Sequence, residues 1–323
     1  MNNQLIDRMN FLGAKRAPFF FMIDYRGESG KVIPLDELDH NSIRFDFNGM
    51  RNHSELNNSH RDDILLKSHP HSLEYFQKAF HIVRDGLNHG DSFLTNLTMK
   101  TPVDVSVDLQ TVFENVKAKY RLWYRNHFVC FSPEIFVQIK DHTISSFPMK
   151  GTIDANVPDA FNIIMNDPKE LSEHFTIVDL IRNDLSSVSQ NVMVEKFRYI
   201  DRVETQNGAL LQVSSHIKGE LEDDWHSNIG NIFNKLLPAG SITGAPKKRT
   251  CEIIEEAEKS KRGYYTGVSG IYDGESLDSM VMIRFIAEEG DRYFFHSGGG
   301  ITAMSDLESE YEEMKNKIYV PIY

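Results

Sequence analysis

The chain has 323 residues, a net charge of −12 at pH 7 and 25% charged residues. This length allows one large domain or two, with a substantial hydrophobic core. The acidic balance and the lack of a dense basic segment argue against a nucleic-acid-binding surface, so an anionic ligand would require a local cluster of Arg, Lys or a metal ion. The longest apolar run near the N-terminus, residues 17–23, is too short for a membrane span or a signal peptide.

The two cysteines, Cys130 and Cys251, lie far apart in the sequence and show neither metal-ligand nor disulfide spacing. Neither stands in the Gly-x-Cys-x-Gly context of a glutamine-hydrolysing cysteine. Isolated cysteines are typical of a reducing compartment, and we expect a cytoplasmic protein.

Apolar periodicity predicts a mixed α+β chain. Asp273-Gly274 between two alternating runs indicates a hairpin turn. The order of elements favours large antiparallel sheets flanked by helices over alternating βαβ units. The predicted elements are a strand over 19–25, an exposed polar loop over 51–63, a helix over 73–89, a strand at 92–99, a helix near 109–118, and two strand-rich regions, 122–147 and 264–296, around a helical middle.

Lys150 lies just beyond a predicted hairpin. The strand pattern over 135–147, with a turn at 140–142, predicts facing pairs whose residue numbers sum to 284. Glu134 would then face Lys150, with Cβ atoms about 5 Å apart. Both an ordinary cross-strand salt bridge and a catalytic pair are consistent with this placement.

Two predicted helices carry glutamates one turn apart. The first has Asp167 as its cap and Pro168 in its first turn, and it bears Glu170 and Glu173. Glu170 is placed to complete a capping box, a structural role that suits Glu173 less well because it lies beyond the first turn.

The last helix repeats this arrangement. Ser305 is its predicted cap, and Glu310 and Glu313 flank its apolar stripe. A solvated acidic face with Glu313 paired to Lys317 is the plain interpretation. Two such acidic pairs brought together could hold a hard divalent cation such as Mg²⁺, but spacing alone leaves this open.

Two segments have the composition of anion-binding loops. The segment 238–247 is rich in glycine and hydroxyl groups, including Ser241 and Thr243, and precedes a helix predicted to begin at Pro246. The segment 294–301 is predicted to pass from a strand into three glycines, which would let backbone N–H groups approach a ligand.

Arg284 interrupts an almost wholly apolar strand predicted over 280–286. A guanidinium there requires an anionic partner, because an unpaired buried charge costs several kcal/mol. That partner could be a carboxylate of the protein or of a substrate.

Taken together, these segments resemble the chorismate-utilising enzyme family, and most of all its aminodeoxychorismate synthase component I branch. The resemblance implies an α+β layered fold like that of anthranilate synthase component I. It also implies one catalytic domain over 1–323, with a shortened N-terminal part (1–70) and a family-matching core (73–318). The matching motifs, in family order, lie at 90–98, 132–134 (Ser-Pro-Glu), 148–152 (Pro-Met-Lys-Gly-Thr), 173–184, 240–247 (Gly-Ser-Ile-Thr-Gly-Ala-Pro-Lys), 262–267, 283–284, 298–301 and 310–313 (Glu-Tyr-Glu-Glu).

The resemblance implies a role for each candidate residue. Lys150 matches the nucleophile, and Glu134 matches the general acid at the departing 4-hydroxyl of chorismate. The implied Mg²⁺ ligands are Glu173 and Glu313, with Glu170 and Glu310 holding the waters of the metal. The implied substrate-binding positions are Thr152, His174, Thr243, Lys247, Tyr265, Arg284, Gly298 and Gly300.

Two positions separate the branches of this family. Lysine at position 150 is typical of aminodeoxychorismate synthases, whereas anthranilate synthases usually have a non-nucleophilic residue there. Isochorismate and salicylate synthases use a water-activating lysine at the position of Leu94, and the aminodeoxychorismate synthase pattern often has glutamine. Leu94 departs from both patterns. The N-terminal tryptophan-binding segment of typical members has no counterpart in this sequence.

The resemblance therefore implies an enzyme that converts chorismate and ammonia to 4-amino-4-deoxychorismate, a precursor of p-aminobenzoate and folate, through a covalent intermediate on Lys150. An attacking amine must be neutral, so the site must first remove a proton from this lysine. Ammonia is expected from a separate glutamine amidotransferase subunit. The alternatives are anthranilate synthase component I and a non-catalytic chorismate-binding subunit. We expect no nucleic-acid or membrane partner.

Overall fold

The computed structural model describes residues 1–54, 64–205 and 208–322. Most of the loop predicted over 51–63 lies outside these residues. Within the described ranges the helices are α1 (Asn3–Ala14), α2 (Leu73–Asn88), α3 (Leu109–Asn115), α4 (Ala160–Asn166), α5 (Pro168–Ser186), α6 (Ile229–Leu236), α7 (Lys247–Glu258) and α8 (Leu307–Asn316).

The strands of the same ranges include the predicted runs near residues 19–25 and 92–99. They are β1 (Phe19–Ile23), β2 (Gly30–Pro34), β3 (Ile43–Phe47), β4 (Met50–Arg51), β5 (Leu66–Ser68), β6 (Leu94–Val105), β7 (Tyr120–Tyr124), β8 (Phe128–Ser132), β9 (Ile135–Lys140), β10 (Thr143–Ser146), β11 (Met149–Asp154), β12 (Gln190–Thr205), β13 (Gly208–Glu220), β14 (Gly244–Ala245), β15 (Val268–Tyr272), β16 (Leu277–Val281), β17 (Phe285–Glu289) and β18 (Arg292–Ile301).

These strands form two sheets of nine strands each. The order in the first sheet is β11, β13, β10, β9, β16, β15, β1 and β2, with β12 paired to β13. The order in the second sheet is β14, β6, β18, β17, β8, β7, β3 and β4, with β5 paired to β6. Neighbours such as β1 and β15, or β6 and β18, run antiparallel. The predicted large antiparallel sheets are confirmed.

The side chains of β1 show how the layers pack, because all five are buried. Successive side chains of a strand point to opposite faces. Phe20 and Met22 therefore enter a core between the two sheets, whereas Phe19, Phe21 and Ile23 face α1, α5 and α6. Helices α2, α3, α7 and α8 cover the other face of the second sheet. The fold is α+β, with helices outside two packed sheets.

Helix α2 forms where apolar spacing predicts it. The Ser72 side chain accepts a hydrogen bond from the Tyr75 amide and caps the first turn. Phe76, Phe80 and Val83 repeat every three or four residues, so they lie on one face and are buried. No helix within the described ranges is long and apolar enough to cross a bilayer.

The hairpin of β9 and β10 forms, but its predicted register is wrong by one residue. Facing pairs such as Ile139 with Ile144 have numbers that sum to 283. The loop contains only Asp141 and His142, whose φ angles are 48° and 62°. A two-residue turn with two left-handed residues matches the twist of the flanking strands, and the sequence analysis had assumed three loop residues.

The predicted facing of Glu134 and Lys150 is also wrong. β10 ends at Ser146, and the following strand, β11, pairs with β13 instead of continuing along β9. Glu134 precedes β9, where its carbonyl accepts a hydrogen bond from Val281. The two side chains therefore belong to different strand pairs.

The strand predicted around Arg284 is interrupted at that residue. β16 belongs to the first sheet and β17 to the second, so the apolar run 280–286 crosses between the sheets. Arg284 has a φ of 52°, a left-handed conformation that ends the extended chain. The continuous apolar pattern hid this crossing because both flanking strands are buried.

The three glycines 298–300 lie inside β18 rather than after it. They face Thr98, Leu97 and Asn96 of β6 in a regular antiparallel pairing. Pairing along β6 supplies the backbone partners that keep these glycines extended. The hairpin predicted at Asp273-Gly274 does form, between β15 and β16.

A buried ion pair joins α7 to the second sheet. The side chains of Glu258 and Arg262 are 3% and 2% exposed, and their charged atoms approach to 2.5 Å. Glu258 Oε1 also accepts hydrogen bonds from the amide and hydroxyl of Thr98. Arg262 donates to the carbonyls of Asn96 and Ile242. The pair thus fixes β6 against the segment that precedes β14.

Replacing Arg262 with Leu should lower the free energy of unfolding by about 3–5 kcal/mol, because the buried Glu258 carboxyl group would lose its ion-pair partner. Denaturant unfolding curves measure this loss. Lys78→Ala serves as the control, since it removes an exposed ion pair with Glu74 and should cost less than about 0.5 kcal/mol. Equal losses in the two variants would contradict the proposed role of the buried pair.

Candidate active site

Lys150 lies on β11 with its side chain 22% exposed. Its Nζ atom is 3.7 Å from Oε2 of Glu173 on α5. A methyl group added at Gly300 would lie 3.4 Å from the same Nζ. The lysine amine is therefore directed between α5 and β18, and not out into solvent.

The Glu134 carboxyl group lies near this amine. Ser241 donates a hydrogen bond of 2.5 Å to Glu134 Oε1. Burial raises the pKa of Glu134, while the Ser241 hydrogen bond and the nearby Lys150 and Arg284 charges partly oppose this effect. A carboxyl group with a raised pKa holds its proton at higher pH and can act as a general acid.

The first acidic pair lies on α5, which begins as predicted. The Asp167 side chain accepts a hydrogen bond from the Glu170 amide. The Glu170 carboxylate approaches β11, since a Cβ at Gly151 would lie 3.2 Å from Oε2 of this residue. Glu173, one turn further on, forms the ion pair with Lys150. The helix therefore directs both carboxylates toward the end of β11 that carries Lys150.

The second acidic pair lies on α8. The predicted cap is displaced by one residue, because the Asp306 side chain rather than that of Ser305 caps the helix. Ser305 instead donates to the buried Glu310 carboxylate at 2.7 Å. Glu313 forms the predicted ion pair with Lys317, at 2.6 Å.

Gly299 has no side chain that would crowd the carboxylates of the second acidic pair. A Cβ at this position would lie 3.1 Å from Glu313 Oε1 and 3.4 Å from Glu310 Oε2. Within the described ranges no group of three or more His, Cys, Asp or Glu side chains is arranged to hold a metal ion. The donor chemistry nevertheless fits a hard cation held by a few carboxylates and water, because two acidic pairs adjoin the glycine segment of β18 and the lysine beside it.

Lys317 is a site residue that the sequence analysis treated only as an ion-pair partner. Its Nζ donates to the carbonyl of Gly298 at 2.8 Å as well as to Glu313. Burial lowers the pKa of Lys317, although Glu313 opposes the effect. The lysine therefore ties α8 to the glycine segment of β18.

Arg284 and Tyr265 lie near Glu134. The Arg284 guanidinium lies over the Tyr319 ring, 5.2 Å from its centre. Arg284 Nε is buried and has no hydrogen-bond partner within the part of the chain that the structure describes. Tyr265 is buried, and its ring packs 4.7 Å from His296. An unpaired buried donor on a guanidinium is consistent with an anionic ligand.

His174 is buried behind the first acidic pair. Its Nε2 atom is 2.6 Å from the Ser215 hydroxyl, and its Nδ1 atom lacks a partner among the described residues. Burial, with smaller effects of Arg198 and Lys150, lowers the pKa of His174 to about 4, so the ring is neutral at pH 7. Thr152, in contrast, is exposed on β11.

Thr243 and Lys247 already have partners within the protein. The Thr243 hydroxyl donates to the carbonyl of Ala239, and Lys247 donates to Asp184 and to the carbonyl of Leu236. Both side chains thus shape the 238–247 segment. Helix α7 begins at Lys247, with Pro246 as its cap, one residue later than predicted.

Leu94 is buried at the start of β6 and borders the same site. A Cβ at Gly300 would lie 3.1 Å from Leu94 Cδ1 and 3.4 Å from Lys150 Nζ. Leu94 is therefore next to the lysine amine and presents an apolar side chain to it.

The contact of Ser241 with Glu134 was not predicted from the sequence. These residues are 107 positions apart, and the serine was considered only as part of an anion-binding loop. No local pattern could have revealed the contact, because it depends on how the 240–242 turn packs against the strand ends.

A separate apolar depression of about 640 Å³ lies between α5 and β12. Phe175, Val178 and Phe197 contribute its apolar lining. It contains none of the predicted site residues and is distinct from the convergence of Lys150 and the acidic pairs.

Comparisons with known proteins identify relatives of this chain. A family model described as chorismate binding enzyme matches residues 33–322. A PabA-like protein of Haemophilus influenzae is 48% identical over 318 residues, 98% of this chain and 96% of that protein. Aminodeoxychorismate synthase component 1 of Bacillus subtilis is 31% identical over 265 residues, 77% of this chain and 55% of that protein.

The fold has solved counterparts. The menaquinone-specific isochorismate synthase MenF of Escherichia coli superimposes with a TM-score of 0.73 at 16% identity, over 98% of this chain and 80% of that one. This likeness concerns the fold alone. The family match covers most of the sequence, and the chain therefore belongs to the chorismate-binding enzyme family.

Proposed function

We propose that the chain is an aminodeoxychorismate synthase component I, which converts chorismate and ammonia to 4-amino-4-deoxychorismate. The observation that carries this proposal is the placement of the Lys150 amine between Glu173 and Gly300, near the Glu134 carboxyl group. A nucleophile and a proton donor then act on the same substrate. The similarity to the Bacillus subtilis synthase supports the same choice, although this chain matches about half of that protein.

In the proposed reaction the neutral Lys150 amine attacks C2 of chorismate. Both ring double bonds shift, the C4–O bond breaks, and the Glu134 carboxyl group gives its proton to the departing hydroxyl, which leaves as water. Ammonia then attacks C4, both double bonds shift back, and the C2–N bond to Lys150 breaks with its electron pair returning to the amine. The ammonia adduct returns a proton to Glu134, so the enzyme ends in its starting state.

Arg284 and Tyr265 are the proposed holders of a substrate carboxylate. Arg284 Nε is buried without a hydrogen-bond partner among the described residues. Arg284 and Tyr265 each interact electrostatically with the Glu134 carboxyl group. The backbone around Gly298 and Gly300 is the proposed second contact. Holding the two carboxylates of chorismate fixes its ring so that C2 faces the lysine.

We propose that Glu173 and Glu313 bind Mg²⁺ directly, and that Glu170 and Glu310 bind its waters. The space left by Gly299 beside the α8 carboxylates supports this assignment. When bound, the cation would supply positive charge to neutralise a carboxylate of the substrate. Glu173 would also remain close to the lysine amine.

The proposed nitrogen source is ammonia from a glutamine amidotransferase subunit in the cytoplasm. Neither Cys130 nor Cys251 suits glutamine hydrolysis, because both are buried. Burial also raises the pKa of the Cys130 thiol, which disfavours the reactive thiolate.

Anthranilate synthase component I is the second candidate, since it belongs to the same family and uses the same substrate. Lys150 favours the aminodeoxychorismate reaction, because amination at C2 requires no nucleophilic side chain at that carbon. A non-catalytic chorismate-binding subunit would have no need for a lysine and a proton-donating carboxyl group directed at one site.

Lys150→Met should lower the rate of product formation by about 1,000-fold or more, because it removes the nucleophile and keeps an unbranched side chain of similar length. The assay combines chorismate, Mg²⁺ and an ammonium salt, and identifies products by chromatography and mass. Lys140→Met, at an exposed position in the adjoining hairpin, is the matched control and should retain activity.

Two results would overturn the proposal. Full activity of Lys150→Met would exclude the covalent route, and anthranilate as the main product would assign the chain to the second candidate. Binding of chorismate without any turnover in the unmodified enzyme would favour the non-catalytic subunit.

Glu173→Gln and Glu313→Gln should each weaken Mg²⁺ binding by about 100-fold, because each removes a charged oxygen ligand. Calorimetric titration with Mg²⁺ measures the affinity, and chelation with EDTA should abolish turnover by the unmodified enzyme. Glu312→Gln is the control, since Glu312 is exposed on α8 and pairs with Lys315. Equal affinities in all variants would refute the metal assignment.

A further inference from the structure

The two oxygens of the Glu134 carboxyl group have different surroundings. Oε1 accepts the 2.5 Å hydrogen bond from the Ser241 hydroxyl. An oxygen that accepts a short hydrogen bond is a poor place for the proton of a neutral carboxyl group. The proton is therefore directed to Oε2, and the serine determines which oxygen can donate it.

Ser241 is itself held firmly. It is the middle residue of a 3-10 turn, Gly240–Ile242, that packs against α5. Asp184 receives a hydrogen bond from the Gly240 backbone on one side of the serine. Arg262 donates to the Ile242 carbonyl at 2.9 Å on the other side. The hydroxyl is thus fixed by contacts on both neighbouring residues.

The Glu134 backbone is fixed as well. Its amide donates to the Ser132 hydroxyl at 3.1 Å, and its carbonyl accepts from Val281. With the backbone and one carboxyl oxygen both held, rotation of the carboxyl group would break the contact with Ser241. A proton donor held in one orientation avoids the entropic cost of being oriented during the reaction.

We infer that Ser241 is a positioning residue for Glu134, which holds Oε1 so that Oε2 delivers the proton to the leaving hydroxyl. This inference rests on the proposed function, in which Glu134 is the acid. As the C4–O bond breaks, its electron pair stays with oxygen, the Oε2 proton joins that oxygen, and water leaves. The carboxylate that remains keeps the hydrogen bond from Ser241, which is stronger to a charged acceptor than to a neutral one.

The charged groups around Glu134 come from several elements. Lys150 lies on β11, Arg284 at the crossing between the sheets, and Lys317 just after α8. Tyr265 also interacts with the Glu134 carboxylate. Burial raises the pKa of Glu134, whereas Ser241 and the three cations lower it. Loss of the serine hydroxyl alone must therefore raise this pKa further.

The sign of the pH effect follows from the role of the acid. Proton donation requires the protonated carboxyl group, so turnover falls as the pH rises through the pKa of Glu134 in the complex. Ser241→Ala should move this alkaline limb of the kcat profile to higher pH. It should also lower kcat on the acidic side of that limb by about tenfold, because the carboxylate formed in the transition state loses a donor.

The experiment measures kcat against pH, with ammonium salt as the nitrogen source, for Ser241→Ala, Ser241→Thr and Ser241→Cys. Threonine keeps the hydroxyl and should restore the position of the limb, while cysteine, a weaker donor of similar size, should give an intermediate shift. Ser227→Ala is the control, since its exposed hydroxyl donates only to the Asp224 carbonyl. Unfolding curves for each variant verify that it is folded.

A second comparison separates this inference from the proposed function. Glu134→Gln should lose most of the activity, and adding Ser241→Ala to it should cause no further loss, because the serine acts through the carboxyl group. Full activity of Glu134→Gln would refute the assignment of the acid. An inactive Glu134→Gln with an unchanged limb in Ser241→Ala and Ser241→Cys would refute the role of Ser241 alone.

Discussion

The site depends on the absence of side chains at Gly299 and Gly300. A methyl group at Gly300 would lie 3.4 Å from Lys150 Nζ, and one at Gly299 would lie 3.1 Å from Glu313 Oε1 and 3.4 Å from Glu310 Oε2. Glycine weakens a strand interior, because it loses more conformational freedom and packs no side chain. Pairing along β6 offsets that cost, and the missing side chains leave space beside the strand for the lysine amine and for the carboxylates of α8.

The two-sheet architecture explains why such distant residues meet. The chain crosses from the first sheet to the second at Arg284, which lies between the end of β16 and the start of β17. β11 supplies Lys150 from the edge of the first sheet, and α5 follows with its acidic pair. The Glu258–Arg262 ion pair then fixes the segment before β14, and with it the turn that carries Ser241.

The sequence predicts features with strong local signals and misses those set by packing. The apolar stripe of α2 and the Asp167 cap of α5 are local, and both form as predicted. The register of β9 with β10 depends on the left-handed conformations of Asp141 and His142, which residue types alone do not fix. The family resemblance identifies the acidic pairs, but it does not reveal the hydrogen bond between Ser241 and Glu134.

Leu94 has a consequence for the selectivity of the proposed reaction. Once the substrate is attached to the lysine, C4 is open to any small nucleophile, and water is far more abundant than ammonia. The branched hydrocarbon side chain that adjoins the lysine has no group with which to orient a water molecule. This position therefore offers no polar group that would activate water beside the lysine, and it offers none that would orient ammonia.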